Sequence, residues 1–232
     1  MPETHRFDFL VIGSGIAGLF FALRAAERGS VALVTKKGGA DSATNWAQGG
    51  IAAVVAQDDS FEAHVQDTLN AGAGLCREDV VRHVVENGPR MIDALRKRGV
   101  EFDRAADSST PGSEFDLTRE GGHTRRRVLH NRDSTGHQIE NALLTAVHGH
   151  PQIRLFEDHC AVDLITTHRV GLAEPNRALG AYVLDCNSGA VERFVAPVTL
   201  LATGGAGKIY LYTSNPDIAS GDGMAMAYRA GA

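Results

Sequence analysis

Short apolar runs alternate with stretches of helical composition along the first part of the chain. Phe7–Ile12 is an apolar-rich run ended by glycine, the pattern of a strand buried in a parallel sheet. Gly15–Arg28, rich in Ala, Leu and Arg, predicts a helix stopped at Gly29. Ser30–Thr35 then predicts a second buried strand, and Lys36–Gly50 a long glycine-containing loop. Ser60 has the chemistry of a helix N-cap. Val80–Arg98 is helical in composition, but Gly88-Pro89 interrupts it and predicts two helices. Arg104–His123 is polar and irregular, and Asp133–His148 predicts a helix capped by Asp133 or Ser134. Five strand-like runs follow, at Ile153–Phe156, Ala161–Thr167, Leu179–Asp185, Val191–Val195 and Val198–Ala202. Cys186-Asn187-Ser188-Gly189 reads as a hairpin turn, and Gly221–Ala230 begins a last helix. A strand–helix–strand start followed by more helices and then strands predicts an α/β fold. Its sheet is Rossmann-like and parallel, with an antiparallel β excursion. No repeat, linker or second core is visible, so the pattern predicts one domain over residues 1–232.

Composition narrows the class. The chain has 232 residues with 23 Lys+Arg against 28 Asp+Glu, a formal charge of −5. That balance carries no basic footprint for nucleic acid or an anionic membrane. With 43% apolar and 22% charged residues the chain is globular rather than disordered. Cys76, Cys160 and Cys186 are odd in number and form no Cys-x-x-Cys, which argues against a disulfide scaffold, a zinc site or an iron–sulfur cluster. The polar N-terminus and the lack of any apolar run near 18 residues predict a soluble, cytoplasmic chain. Glycine, at 26 residues, is in excess, and its placement matters.

The sharpest motif is Gly13-Ser14-Gly15-Ile16-Ala17-Gly18, between a predicted strand and a predicted helix. In this pattern Gly13 makes the tight turn, Gly15 lets backbone approach a pyrophosphate, and Gly18 lets helix pack on strand. The helix N-terminus then offers free N–H groups and partial positive charge to a diphosphate. A nicotinamide dinucleotide site needs a carboxylate at the end of the second strand. Here that end reads Val34-Thr35-Lys36-Lys37, with no carboxylate before Asp41, which disfavours it.

Four further segments sharpen the picture. Thr44-Asn45-Trp46-Ala47-Gln48-Gly49-Gly50-Ile51-Ala52 has paired glycines that let a loop lie flat on a ligand. Leu117-Thr118-Arg119-Glu120-Gly121-Gly122-His123, Leu201-Ala202-Thr203-Gly204-Gly205 and Ser220-Gly221-Asp222-Gly223-Met224-Ala225 follow in order. Together with the first motif they resemble the succinate dehydrogenase/fumarate reductase flavoprotein family, and within it the L-aspartate-oxidising members. The resemblance runs from about Asp8 to the last residue.

It implies FAD as cofactor, bound at Gly13, Ser14, Gly15, Ile16, Ala17 and Gly18, with Ser14 to Ala17 holding its diphosphate and Lys36 near the adenosine end. Thr44, Asn45, Trp46, Ala47, Gln48, Gly49 and Gly50 would pass the ribityl chain and flavin ring. Ala161 and Val162 would pair backbone with adenine, Ala202, Thr203 and Gly204 would close over the dinucleotide, and Asp222 would bond the flavin side. Respiratory members carry a flavin-linking histidine six residues before the first glycine of the loop. Here that position is Ala43, which implies non-covalent FAD.

Glu120 takes the place of an apolar residue of the succinate-oxidising members and would meet the ammonium group of L-aspartate. The implied reaction oxidises L-aspartate to iminoaspartate by hydride transfer to flavin N5, the first step of NAD biosynthesis. Oxygen or fumarate serves as electron acceptor, and the product is handed to quinolinate synthase. His123 and Arg125 could add positive charge for a dicarboxylate; Arg126 and Arg127 read as a solvated face, and His130 stays open. The family's catalytic arginine and its capping and C-terminal helical domains would lie beyond residue 232. The chain therefore reads as an N-terminal, catalytically incomplete portion of the FAD-binding domain. A succinate dehydrogenase- or fumarate reductase-type portion, or a non-catalytic flavin-binding module, are the alternatives.

Gly204-Gly205-Ala206-Gly207-Lys208 fails as a P-loop, since Ala202 stands for its first glycine and Ile209 for its Ser or Thr. His148-Gly149-His150 lacks a third ligand nearby, so no metal site is read from the sequence.

Overall fold

A computed structural model describes residues 3–105, 113–173 and 175–232. Its elements begin with β1 (Thr4–Arg6), β2 (Phe9–Ile12), α1 (Ile16–Ala25), β3 (Val31–Val34), β4 (Ile51–Ala52), α2 (Phe61–Ala71) and α3 (Glu78–Arg96). They continue with β5 (Leu117–Thr118), β6 (Val128–Leu129), α4 (Thr135–His148), β7 (Ile153–Phe156) and β8 (His159–Thr166). The last are β9 (Ala178–Asp185), β10 (Val191–Val195), β11 (Val198–Leu201) and α5 (Asp222–Ala230). Where the sequence shows no second core, the chain divides into two compact units: Met1–Trp46 with Leu143–Ala232, and Ala47–Ala142.

The first unit holds a parallel sheet in the order β11-β2-β3-β7 and a second sheet in the order β1-β10-β9-β8. From β2 the chain moves to β3 and β7 on one side, and it returns through β11 on the other. That reversal opens a crevice beyond the carboxyl ends of β2 and β11, where open α/β sheets bind ligands. The antiparallel strands β8, β9 and β10 form the expected excursion. The two sheets share one core: Leu10, Ile12, Ala32 and Val34 meet Ala161, Leu164, Ala181, Val183 and Phe194. Each such side chain, when large, contributes roughly 1.5–3 kcal/mol by leaving water.

The expected strand over Phe7–Ile12 forms as β2 at Phe9–Ile12, and the residues just before it carry the chain across from the other sheet. Thr4–Arg6 joins β10 in parallel, and Phe9–Ile12 joins β11 and β3. Asp8 turns the chain between them: its carboxylate accepts from the Ser30 N–H at 2.8 Å and the Ser30 hydroxyl at 2.7 Å.

The second unit packs α2 against α3 and adds a small antiparallel sheet, β4-β6-β5. Ser60 caps α2 as expected, its hydroxyl accepting from the Ala63 N–H at 3.1 Å. The two-helix reading of residues 80–98 is corrected: α3 runs unbroken through Pro89. Pro89 removes one backbone donor, yet Val85, Ile92 and Leu95 on one face bury themselves and hold the helix together. Gly88 packs toward Ala53 with room for ordinary contact, a Cβ on it standing 3.4 Å from that of Ala53. Strands β4, β5 and β6 are two residues each, too short for periodicity to reveal. Within the polar 104–123 stretch, residues 106–112 lie outside the described residues.

Candidate functional site

In the first unit the crevice at the end of β2 is a cavity of about 330 Å3. Gly13 leaves β2 with φ +111°, its N–H donating to the Val34 carbonyl at 2.9 Å. A Cβ there would sit 2.2 Å from the Ala202 carbonyl oxygen. Gly18 is as constrained, since a Cβ on it would lie 1.9 Å from the Gly13 carbonyl oxygen. These contacts tie α1 to the turn, and the turn to the end of β11, whose next residue Ala202 donates its N–H to Ile12 at 2.8 Å.

Helix α1 starts at Gly15 with no side chain of its own to cap it. The Thr44 hydroxyl instead accepts from the Ile16 N–H at 3.0 Å. The N–H groups of Ala17 and Gly18, in the first turn, have no carbonyl four residues back within the helix. Gly15, Ile16 and Ala17 line the cavity, so a helix N-terminus with its partial positive charge faces it. Ser14 is buried, its hydroxyl donating to the Thr35 hydroxyl at 3.0 Å across the ends of β2 and β3.

Of the residues singled out from the sequence, Gly13, Ser14, Gly15, Ile16, Ala17, Lys36, Thr44, Ala161, Ala202, Thr203, Gly204 and Asp222 line this one cavity. Gly18 stands behind it. Asn45, Trp46 and Val162 do not line it, and Trp46 is exposed. The Lys36 ammonium donates to the Asp222 carboxylate at 2.6 Å and the Ser220 hydroxyl at 2.5 Å. Two residues expected at different ends of a dinucleotide are thus joined in one ion pair. Thr35, Ser42, Cys160, Pro216 and Ile218 also line the cavity and were not singled out. They share no local sequence signal: Thr35 follows β3, Cys160 lies within β8, and Ser42, Pro216 and Ile218 come from loops. Burial, and then the negative charge of Asp222, push the Cys160 thiol up.

Ala47, Gln48, Gly49, Gly50 and Glu120 belong to the second unit. There the Glu120 side chain stands against the double-glycine turn: a Cβ on Gly49 would lie 3.0 Å from Glu120 Oε1. A Cβ on Gly50 would strike the Leu129 carbonyl oxygen at 2.2 Å, so the turn lies flat on β6. The Gly49 carbonyl accepts from the Thr135 hydroxyl at 2.9 Å.

The solvated-face reading of Arg127 is corrected. Arg127 is fully buried and forms a bidentate pair with Asp59, both bonds 2.8 Å, and a 2.5 Å bond to Asp67. Asp67 also accepts from the N–H and hydroxyl of Thr124, and His123 Nδ1 lies 3.2 Å from Arg127. The segment carrying Glu120 is thereby bound to α2. Burial acts to raise the Asp59 and Asp67 carboxyls, but hydrogen bonds from Arg127, with backbone N–H groups of Ser60 and Thr124, outweigh it and hold both low. Arg126 stays exposed, as expected, and its Nε–H donates to the Leu117 carbonyl at 2.7 Å. His130 pairs with Asp103 at 3.2 Å.

Among the described residues no helix is long and apolar enough to cross a membrane. The sequence matches the FAD binding domain family over residues 8–232. It is 52% identical over 225 residues, 97% of the chain, to L-aspartate oxidase 1 of Ralstonia nicotianae. It is 49% identical over 229 residues, 99% of the chain, to L-aspartate oxidase of Vibrio cholerae. The chain spans 42% and 43% of the lengths of these two relatives. Among solved structures it resembles an E. coli quinol fumarate reductase with a TM-score of 0.88 and 32% identity, over 98% of this chain and 37% of that one. The cradle suits a dinucleotide diphosphate: a helix start whose Ala17 and Gly18 N–H groups have no carbonyl within the helix, two glycines where any Cβ would clash, and few side chains in the way. The chain belongs to the FAD binding domain family, and its cofactor is FAD.

Proposed function

We propose that the chain serves the FAD-dependent oxidation of L-aspartate to iminoaspartate, the entry reaction of NAD biosynthesis. One observation carries this reading: the Glu120 carboxylate stands on the Gly49-Gly50 turn, held there by the Arg127–Asp67–Thr124 network. L-Aspartate differs from succinate by one ammonium group, and Glu120 supplies its counter-charge. A charge-assisted hydrogen bond of that kind is worth roughly 1.5–3 kcal/mol. The identity of about one half to L-aspartate oxidases, against 32% to the fumarate reductase, supports the same choice of substrate.

The chain's own residues bind and orient. Ser14 to Ala17 hold the diphosphate through backbone N–H groups, and Thr203 and Gly204 bound the cavity on the β11 side. FAD, when bound, supplies the acceptor for the hydride that leaves the amino acid. Ala43, which lines the cavity, offers a methyl group where a covalent tether would need a nucleophile, so the flavin is held non-covalently. Within this reading residues 1–232 act as one FAD-binding domain in a cytoplasmic enzyme. A capping domain supplies the proton-transferring arginine, oxygen or fumarate takes the electrons, and quinolinate synthase takes the product.

The test is Glu120→Gln in the full-length enzyme. L-Aspartate kcat/KM should fall about ten- to a hundredfold, the equivalent of that hydrogen bond, while turnover of fumarate or succinate changes little. Equal losses on all three substrates would sink the assignment.

A further inference from the structure

The second sheet of the first unit carries ionisable side chains where its pattern calls for apolar ones. In the ladder Glu192 lies opposite Val183, and His5 opposite Phe194. His159 is two residues before Ala161, itself opposite Val183. Cross-strand partners and residues two apart share a face. These three polar groups therefore stand on the face whose other members, Ala161, Ala181, Val183 and Phe194, are core. The His5 ring packs on Phe194 at 4.6 Å and Phe156 at 5.4 Å between centroids, and His159 on Phe156 at 5.5 Å. The side chains of His5 and Glu192 are only 10% and 13% exposed.

Their polar atoms converge. His5 Nε2 lies 3.0 Å from Glu192 Oε2 and 3.7 Å from Glu3 Oε1. His159 Nε2 lies 3.8 Å from the same Glu192 oxygen. Among the described residues no Lys or Arg pairs with Glu3 or Glu192; both face histidines alone. Among the described residues, these two carboxylates at the rim of a core have no ion-paired Lys or Arg to offset their charge.

We propose that Glu3, His5 and Glu192 bind one divalent cation of the zinc class, with water completing the shell. A tetrahedral ion with bonds of about 2.0–2.1 Å spaces its donors roughly 3.3 Å apart. The 3.0 and 3.7 Å separations bracket that value, and one donor atom from each residue lies within 4.8 Å of the other two. Mixed imidazole and carboxylate donors favour zinc over calcium or magnesium. His159 borders the site, its Nδ1 facing the Glu157 carbonyl at 2.5 Å and its Nε2 standing 3.8 Å from Glu192 Oε2. The ion ties β1 to β10 and so secures the N-terminal strand ahead of the nucleotide cradle.

The probe is zinc chloride, added to chelator-stripped, FAD-loaded protein, with bound metal counted by mass spectrometry after gel filtration and stability followed by thermal melting. One zinc per chain and a raised Tm are expected. Glu3→Gln, at a side chain 68% exposed, should keep the fold and weaken binding at least tenfold. His5→Gln and Glu192→Gln should abolish it. A variant with Cys76, Cys160 and Cys186 all changed to Ser should bind as before. No retained zinc, unchanged binding in the Glu3 and His5 variants, or loss in the cysteine variant would each overturn the proposal.

Discussion

Gly13 and Gly18 show what a glycine motif means when its geometry is known. At Gly13 both the φ of +111° and the Ala202 oxygen at 2.2 Å exclude a side chain. Gly13→Ala should therefore add left-handed strain of about 1–2 kcal/mol to overpacking of about 1–3 kcal/mol. The expected outcome is a lower Tm and loss of FAD on gel filtration. Gly205→Ala is the control, because nothing lies within 4 Å of a Cβ there; its stability should stay within about 0.5 kcal/mol of wild type. A Gly13→Ala protein that keeps both Tm and flavin would contradict the close-packed cradle. Arg127 gives the opposite lesson. Arg127→Met leaves Asp59 and Asp67 buried without their cation and should cost about 3–5 kcal/mol, read by denaturant unfolding. Adding Asp59→Asn and Asp67→Asn should recover part of that loss, since the uncompensated charges are then gone.

At the scale of elements, α2 is the hub of the second unit, through His64 and Asp67 on the buried face it presents to the Arg127 network. Burial, and then the Arg127 charge, push the His64 imidazole down from its ordinary 6.5. The unfolded chain therefore binds that proton first, and stability falls as pH drops below 6.5. Asp59 and Asp67, held below their ordinary 3.8, contribute stability that is present above that value and lost as pH falls through their folded values. Acid unfolding should thus weaken in two stages, and His64→Gln should remove the first while leaving the second. Stability measured between pH 7 and 3 checks it; a single stage, with His64→Gln superimposed on wild type, would refute the assignment. In α3, Pro89→Ala restores a backbone donor in the middle of a helix and should stabilise by about 1–2 kcal/mol, seen as a higher Tm.

For the whole molecule, Ala43 leads to a prediction that needs no turnover assay. Holoprotein denatured before mass spectrometry should show the bare polypeptide mass, with FAD recovered free in the supernatant. A flavin adduct on the chain would overturn non-covalent binding.

The α/β class, the positions of most longer strands along the chain and the glycine cradle were legible in the residues, because each depends on local chemistry. An apolar run between a polar start and a glycine, followed by small residues, specifies strand, turn and helix with little outside help. Ser60 as a cap and the hydroxyl-bearing end of β3 were local too. The two-residue strands, the unbroken α3, the burial of Arg127 and the meeting of Lys36 with Asp222 were not. Each depends on partners far along the chain: 68 residues separate Arg127 from Asp59, and 186 separate Lys36 from Asp222. An arginine in a polar run carries no mark of the two carboxylates that will enclose it. Likewise nothing near His5 announces Glu192, which only the pairing of β1 with β10 brings within 3.0 Å. Backbone preference and apolar period act over a few residues and were written in the sequence; the pairing of charges is settled only when distant strands share a sheet and burial removes the water that would otherwise screen them.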